Sequence, residues 1–385
     1  MSLAENMHPG RPVPLSAPGR EIAEISVEIS AAIDRVLASG YFIHGQEHAA
    51  FEREFAAYCG VRHCIGVANG TDALEIALRA VGCGRDDEVV TVANAGAYTT
   101  AAAYAVGAIP VYADIDPATL VLDPRALAGV LSPRVKAVVV THLYGYLADV
   151  PAIERALREA GSKALIVEDC AQAHGALRRG RRAGAFGDIA IFSFYPTKNL
   201  AALGDGGALV TNHDQFADAA RSLRQYGWDA KYDVVRPGGR NSRLDELQAA
   251  ILRAKLPHLN ARNERRRAVF RLLAEACARA GLAVPHAGCG SEFVAHLCVA
   301  RHSRRSQIMD RLAAGGIGAQ VHYPIPDHRQ KGFDGLPRRL GSLTHSERAC
   351  DEVFSLPCFP EMSEDEIAAV CAAIGTLKET PPAAR

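Results

Sequence analysis

Short runs at 64–68, 88–93, 109–113, 135–141, 164–168, 189–194 and 208–211 are apolar almost from end to end, not on alternate residues. No other feature constrains the fold as tightly. A strand with one wet face alternates, whereas a strand apolar on both sides lies in a sheet buried between two layers of helices. The segments between several of these runs carry helical spacing: Leu74, Ala77, Leu78 and Val81 make an inner face over 71–81, and 99–106 and 150–160 read the same way. Upstream, Ile22, Ile25, Ile29, Ile33 and Val36 predict one helix over 21–39, with Gly40 as its C-cap. Phe51, Phe55 and Tyr58 share a face of a second helix over 46–58. Strand and helix in alternation predict an α/β fold with a large, mostly parallel sheet.

Near Asp245 the texture changes. Leu244, Leu247, Ile251 and Leu256 predict a long helix, continued after Pro257 by a charged one through 262–280. A strand at 293–300, a helix at 304–314, an extended stretch at 320–323 and two helices at 345–354 and 363–377 complete an α+β pattern. With 385 residues, and roughly 100–200 per domain, the expected organisation is an N-terminal arm (1–20), a large domain (21–254) and a small C-terminal domain (255–385). Lys plus Arg and Asp plus Glu both number 43, so no global field attracts nucleic acid or an anionic membrane. The ten cysteines show no zinc spacing, and several sit in apolar runs, so structural disulfides are not expected and a reducing cytoplasm is the natural home. Residues 1–20 lack the apolar core of a signal peptide, and the longest apolar stretch, 101–113, is too short to span a bilayer.

In open α/β sheets, ligands bind at the carboxyl ends of the strands. Two of the apolar runs end in reactive groups: one leads into Asp169, Gln172 and His174, the other into Ser193-Phe194-Tyr195-Pro196-Thr197-Lys198. A carboxylate and an amine delivered to one crevice suit pyridoxal phosphate, whose aldehyde needs a lysine and whose pyridine nitrogen needs an acid. Lys198 has three readings: a solvated lysine, a point charge for phosphate, or an amine that attacks a carbonyl. The glycine-dense loop Gly204-Asp205-Gly206-Gly207 beside it favours a partly desolvated amine of lowered pKa. Asp169 reads as a strand-end cap or as the anion facing the pyridinium. Gln172 reads as an exposed amide or as a partner of the ring hydroxyl, while His174 is given no catalytic role. Asn69-Gly70-Thr71-Asp72 hands a strand over to a helix, which suits either a phosphate or a simple cap. Ser193 lies where its hydroxyl reaches the same phosphate.

These pieces together resemble the DegT/DnrJ/EryC1/StrS family of sugar aminotransferases. The resemblance runs from Gly40-Tyr41-Phe42-Ile43-His44-Gly45 to the C-terminal helices. It rests mainly on Ala68-Asn69-Gly70-Thr71-Asp72-Ala73-Leu74, His142-Leu143-Tyr144-Gly145, Glu168-Asp169-Cys170-Ala171-Gln172-Ala173-His174-Gly175, Phe192-Ser193-Phe194-Tyr195-Pro196-Thr197-Lys198-Asn199-Leu200 and Asn241-Ser242-Arg243-Leu244-Asp245-Glu246-Leu247-Gln248-Ala249-Ala250. It implies a fold-type-I pyridoxal phosphate transferase, with the larger domain binding the cofactor and a homodimer sharing its active sites. Lys198 would be the covalent tether, Asp169 the partner of the pyridine nitrogen and Gln172 that of the ring oxygen. Gly70, Thr71 and Ser193 would hold the phosphate, with Asn241 reaching in from the other subunit. The substrates would be a nucleotide-linked keto sugar and, as amino donor, glutamate or glutamine. Tyr41, His322 and Tyr323 resemble positions near the sugar, although His322 and Tyr323 read equally well as domain packing.

One departure concerns the cofactor ring. Where relatives commonly place an aromatic residue two after the asparagine aligned with Asn94, this chain has Gly96, and Tyr98 is the candidate substitute. Retention of Lys198, where some relatives carry histidine and dehydrate, argues for transamination. A cyclitol ketone as acceptor, another pyridoxal reaction such as dehydration or elimination, and a non-catalytic ligand-binding regulator are the competing readings. The basic runs Arg178-Arg179-Gly180-Arg181-Arg182, at an expected hairpin tip, and Arg265-Arg266-Arg267 read as solvated, with a diphosphate contact as the alternative for the first.

Overall fold

The computed structural model describes residues 12–379. Strands β1 (His63–Val67), β2 (Glu88–Thr91), β3 (Ile109–Tyr112) and β4 (Val135–Thr141) come first. They are followed by β5 (Leu165–Asp169), the small hairpin β6 (Leu177–Arg178) and β7 (Arg181–Arg182), then β8 (Ile189–Ser193) and β9 (Gly207–Thr211). Later come β10 (Cys298–Arg301), β11 (Arg339–Leu340) and β12 (Val353–Leu356). Helices α1 (Pro18–Glu24), α2 (Ser26–Ser39) and α3 (Gln46–Cys59) precede the sheet, and α4 (Gly70–Ala80), α5 (Tyr98–Ala105), α6 (Val150–Glu159) and α7 (Asp214–Leu223) are interleaved with its strands. The rest of the chain supplies α8 (Glu246–Lys255), α9 (Leu259–Arg279), α10 (Arg305–Ala314), α11 (Thr344–Glu352) and α12 (Glu364–Gly375).

One eight-stranded sheet runs in the order β1-β9-β8-β5-β4-β2-β3-β11. Both pairings of β9 are antiparallel, and the remaining pairings are parallel. Both faces are covered, which is why the strands do not alternate. In β8, Ile189 and Ile191 pack under Leu74, Leu78 and Phe216, from α4 and α7, while Ala190 and Phe192 face Phe51 and Phe55 of α3. At about 1.5–3 kcal/mol for each large apolar side chain, that two-sided burial outweighs any intrinsic strand preference. A separate apolar cluster joins Phe270, Leu273 and Cys277 of α9 to Leu312, Phe354, Val370 and Ile374.

Several expected elements changed in detail. The helix expected over 21–39 is two, broken at Ile25, whose φ of −116° is not helical. The break turns α1 so that Arg20 meets Glu366 and Glu21 meets Lys255, while Ile29 packs on Ile251 of α8. Of the N-terminal arm, residues 1–11 lie outside the described residues; Val13 pairs with Ile317, and α1 already begins at Pro18. The strand expected at 293–300 is reduced to β10. Its first half bends to dock on the 145–147 loop, where Val294 N–H meets Gly145 O and Leu147 N–H meets Glu292 O. The helix expected at 345–354 stops at Glu352, because Val353 and Phe354 pair with Arg301 and Ala300. The two basic runs are solvated only in part: Arg179, Arg181 and Arg265 are exposed as expected, while other guanidinium groups are anchored. Arg178 donates to the carbonyls of Leu147 and Ala148, and Arg181 and Arg182 lie over Phe186 and Tyr58. Arg265, Arg266 and Arg267 reach the carbonyls of Pro360, Cys358 and Phe293. Among the described residues no helix is long and apolar enough to cross a membrane.

Candidate active site

Parallel strands bring their carboxyl ends to one edge, and β1, β5 and β8 all open there into reactive segments. β1 runs into Asn69, whose side-chain oxygen takes the Asp72 N–H at 2.8 Å and starts α4. Gly70 is required at that point, because a Cβ there would sit 2.7 Å from Cβ of Ser193 at the end of β8. Gly207, opening β9 between those strands, is required too, since a Cβ would lie 2.5 Å from the Asn69 carbonyl. The first turn of α4 therefore lies directly against the Ser193 hydroxyl, with its unpaired amides at hand for an anion.

β5 ends in Glu168-Asp169, and strand pleating sends the two carboxylates to opposite faces. Glu168 is fully buried and accepts from His142 Nε2 (2.9 Å) and from the amides of Phe186 and Gly187 (2.7 Å each) and Gly184 (3.1 Å). Burial alone would raise its pKa, but these donors hold it below the ordinary carboxylate value. Asp169 faces the cavity with fewer partners, the Ala171 N–H at 3.1 Å and the Thr141 hydroxyl at 3.4 Å. Burial raises its pKa, a cost that a cation beside it would relieve. Lys198 supplies one such charge: burial pushes the amine down to about 8, against the opposing pull of Asp169.

A cavity of about 440 Å³ gathers Asn69, Gly70, Thr71, Tyr98, Asp169, Ser193, Tyr195, Lys198 and Asp205. Six sequence-derived candidates meet there: Gly70, Thr71, Tyr98, Asp169, Ser193 and Lys198. Gln172 and Tyr323 stand behind it. Gln172 Oε1 takes the Tyr144 N–H at 2.6 Å, and its Nε2 donates to the Tyr323 hydroxyl at 3.1 Å. Tyr323 meets the Tyr98 ring edge to face at 6.1 Å. It also fills the space above Gly96, where φ is +82° and a Cβ would come within 2.9 Å of the ring. His322 points to Ser355 Oγ at 2.9 Å, and burial followed by the Lys198 charge lowers its pKa to about 4, so it is neutral. Asn241 and Tyr41 are exposed and do not line the cavity of their own chain. Asp205 and Tyr195 escaped the sequence reading. Asp205 sits in a glycine-dense loop read only for the close backbone approach its glycines allow, while Tyr195 lies near Lys198 in a segment read for its amine. A more open depression of about 840 Å³ beside α6 shares no lining residue with this cavity, and its Asp123 and Arg125 pair with each other.

Residues 23–375 match the model of the DegT/DnrJ/EryC1/StrS aminotransferase family. The chain belongs to that family. A dTDP-3-amino-3,4,6-trideoxy-alpha-D-glucose transaminase of Micromonospora megalomicea subsp. nigra is 47% identical over 343 residues, 88% of this chain and 91% of that protein. The fold superposes on S. venezuelae DesV, solved in complex with a ketimine intermediate, with a TM-score of 0.92 at 39% identity, covering 97% of this chain and 100% of that one. It also matches the ntda protein of Bacillus subtilis with bound cofactor PMP, with a TM-score of 0.88 at 28% identity, covering 98% and 87%. Family membership makes the chain an aminotransferase of fold type I. The donor set suits the family's cofactor: a helix N-terminus and a hydroxyl for a phosphate, a buried carboxylate for a ring nitrogen, and an amine of lowered pKa.

Proposed function

We propose that this aminotransferase uses pyridoxal 5'-phosphate to move an amino group from L-glutamate or L-glutamine to a nucleotide-linked keto sugar, in amino-sugar biosynthesis. The reading has it act in the cytoplasm as a homodimer, each subunit dividing near residue 255 into a large cofactor-binding and a small domain. One observation carries the chemistry: an amine pushed down to about 8, a buried carboxylate and a helix N-terminus line one cavity. The transaminase relative from Micromonospora, named for a dTDP-linked amino sugar, supports the substrate class.

When bound, the cofactor supplies an aldehyde that takes up an amino group and a ring that accepts the electron pair left on the neighbouring carbon. The chain does the rest. Gly70, Thr71 and Ser193 hold the phosphate through amide and hydroxyl donors. Asp169, as an anion, keeps the ring nitrogen protonated and gains back part of its own desolvation cost. Lys198 would serve twice, as the amine that tethers the group and as the base whose Nζ carries the donor's Cα proton. A pKa near 8 leaves an appreciable neutral fraction at physiological pH, which both roles need. Gln172 and Tyr323 hold the wall behind Tyr98. The test supplies nitrogen-labelled L-glutamate and a dTDP- or UDP-linked keto sugar. The label should enter the sugar as 2-oxoglutarate accumulates. Absence of the corresponding oxo acid with glutamate and with glutamine alike defeats the reading.

A further inference from the structure

Lys198 is carried on a short loop that closes on itself. Phe194 N–H meets Gly206 O and Ala202 N–H meets Phe194 O, both at 2.8 Å, and Lys198 N–H meets Tyr195 O at 2.9 Å. Those bonds shape the loop but do not fix where its middle sits. The residue after the lysine does. Asn199 is 6% exposed, and among the described residues it is the only side chain of 194–202 that hydrogen-bonds outside that segment.

Two backbone carbonyls determine how its carboxamide is turned. A carbonyl oxygen only accepts, so Asn199 Nδ2 faces Val294 O (3.1 Å), and Asn263 Nδ2 faces His174 O (2.8 Å). Asn263 therefore presents its Oδ1 to Asn199 Nδ2, which donates to it at 2.8 Å. Asn199 Oδ1 is left to meet His296 Nδ1 at 3.0 Å, and because an amide oxygen only accepts, the imidazole carries a proton on Nδ1. Burial first, and then the Lys198 charge, hold His296 well below the ordinary histidine value, so the ring is neutral. Asn263, Val294 and His296 are all buried, and no water competes for these bonds. Asn263 lies on α9, and Val294 and His296 lie on the segment that docks at 145–147. All three are beyond the proposed domain boundary near 255, so the peptide next to Lys198 is held from the small domain.

We propose that Asn199 is a positioning residue: its carboxamide, locked by Asn263, Val294 and His296, sets where Lys198 Nζ stands for both of its roles, tether and base. This rests on the reading of Lys198 above. Both roles depend on reach and direction, and a misplacement of about 1 Å costs on the order of a hundredfold in rate.

The test follows the two roles by two rates. Loading with pyridoxal phosphate is read by stopped-flow absorbance across pH, and solvent exchange of the Cα hydrogen of L-glutamate or L-glutamine by NMR. In Asn199→Ala both rates should fall by about tenfold or more. Cofactor content at saturation and the half-saturating amino acid concentration should stay within about twofold of wild type. Loading should still level off above about 8. His296→Leu, which leaves the 194–202 segment untouched, should slow the same two rates. His296→Asn, whose amide can donate where Nδ1–H does, should restore most of the loss. Rates in Asn199→Ala within about twofold of wild type overturn the proposal. So does a loading profile moved up toward the ordinary lysine range, because the change would then have let water reach the amine instead of redirecting it. If Asn199→Ala does not fold, the His296 pair decides, and equal rates in His296→Leu and wild type sink the idea. A wild type without a cofactor band defeats the aminotransferase reading. Hydrogen exchange at the 197–200 amides then judges the network: it should quicken in Asn199→Ala, and unchanged exchange there overturns the hold on Lys198.

Discussion

Lys198 and Asp169 each cost stability where they stand, burial lowering the amine's pKa and raising the acid's. Such paired strain is the pattern expected of groups kept for chemistry. It sets the pH behaviour of cofactor loading. Attack on the aldehyde needs the neutral amine, so the loading rate should climb with pH and level off above about 8. Stopped-flow absorbance across that range checks it, and a flat profile would place the amine elsewhere. Both residues were legible because each closes an apolar run, and parallel strands deliver their carboxyl ends to one edge. Tyr323 was not legible in the same way. Its place over Gly96 joins residues far apart in sequence, and no local pattern announces that contact. Gly96→Ala adds a Cβ against that ring at a φ of +82°, so it should lower stability by about 2 kcal/mol or more. Denaturant melts would show it, and a neutral result would mean the ring moves freely.

At the scale of elements, seven of the eight sheet strands and the helices over 46–58, 71–81 and 150–160 follow from spacing alone, to within a residue or two at most ends, while the two-residue edge strand β11 carries no such run and was not expected. The failures lie where tertiary contacts override local pattern: the break at Ile25, the bend before β10, and arginines such as Arg178, Arg266 and Arg267 that find carbonyls instead of water. The loop before α3 shows the same rule. Glu246, the first residue of α8, accepts from the amides of Gly45 (2.7 Å), Glu47 (2.9 Å) and His48 (2.8 Å), capping α3 from a different helix. The sequence shows only an acid in a helix. Because that carboxylate is buried and answers three donors, Glu246→Ala should cost about 2–3 kcal/mol and loosen the Tyr41–Gly45 segment. Thermal melts and proteolysis near residue 42 would test this; an unchanged melting point would assign the capping to water.

Across the whole molecule, the C-terminal part closes back on the sheet edge. Asp327 is 1% exposed, its N–H donates to Ala93 O at 2.7 Å, and the Thr100 hydroxyl reaches its carboxylate at 3.3 Å. Burial raises this acid from 3.8 to about 7. Between those values the native state holds more protons than the unfolded chain, so the contribution to stability is full below about 4 and lost as pH rises through about 7. Asp327→Asn should flatten that decline in urea melts taken from acid to neutral pH; an unaltered slope would remove Asp327 from the docking. The proposed role of Lys198 as the amine that tethers pyridoxal phosphate is tested most directly by one spectrum. Wild-type protein with pyridoxal phosphate should show an absorption band near the visible edge that L-glutamate shifts to shorter wavelength, and Lys198→Ala should show neither the band nor the shift. A band that survives in Lys198→Ala, or is missing from wild type, would contradict the account.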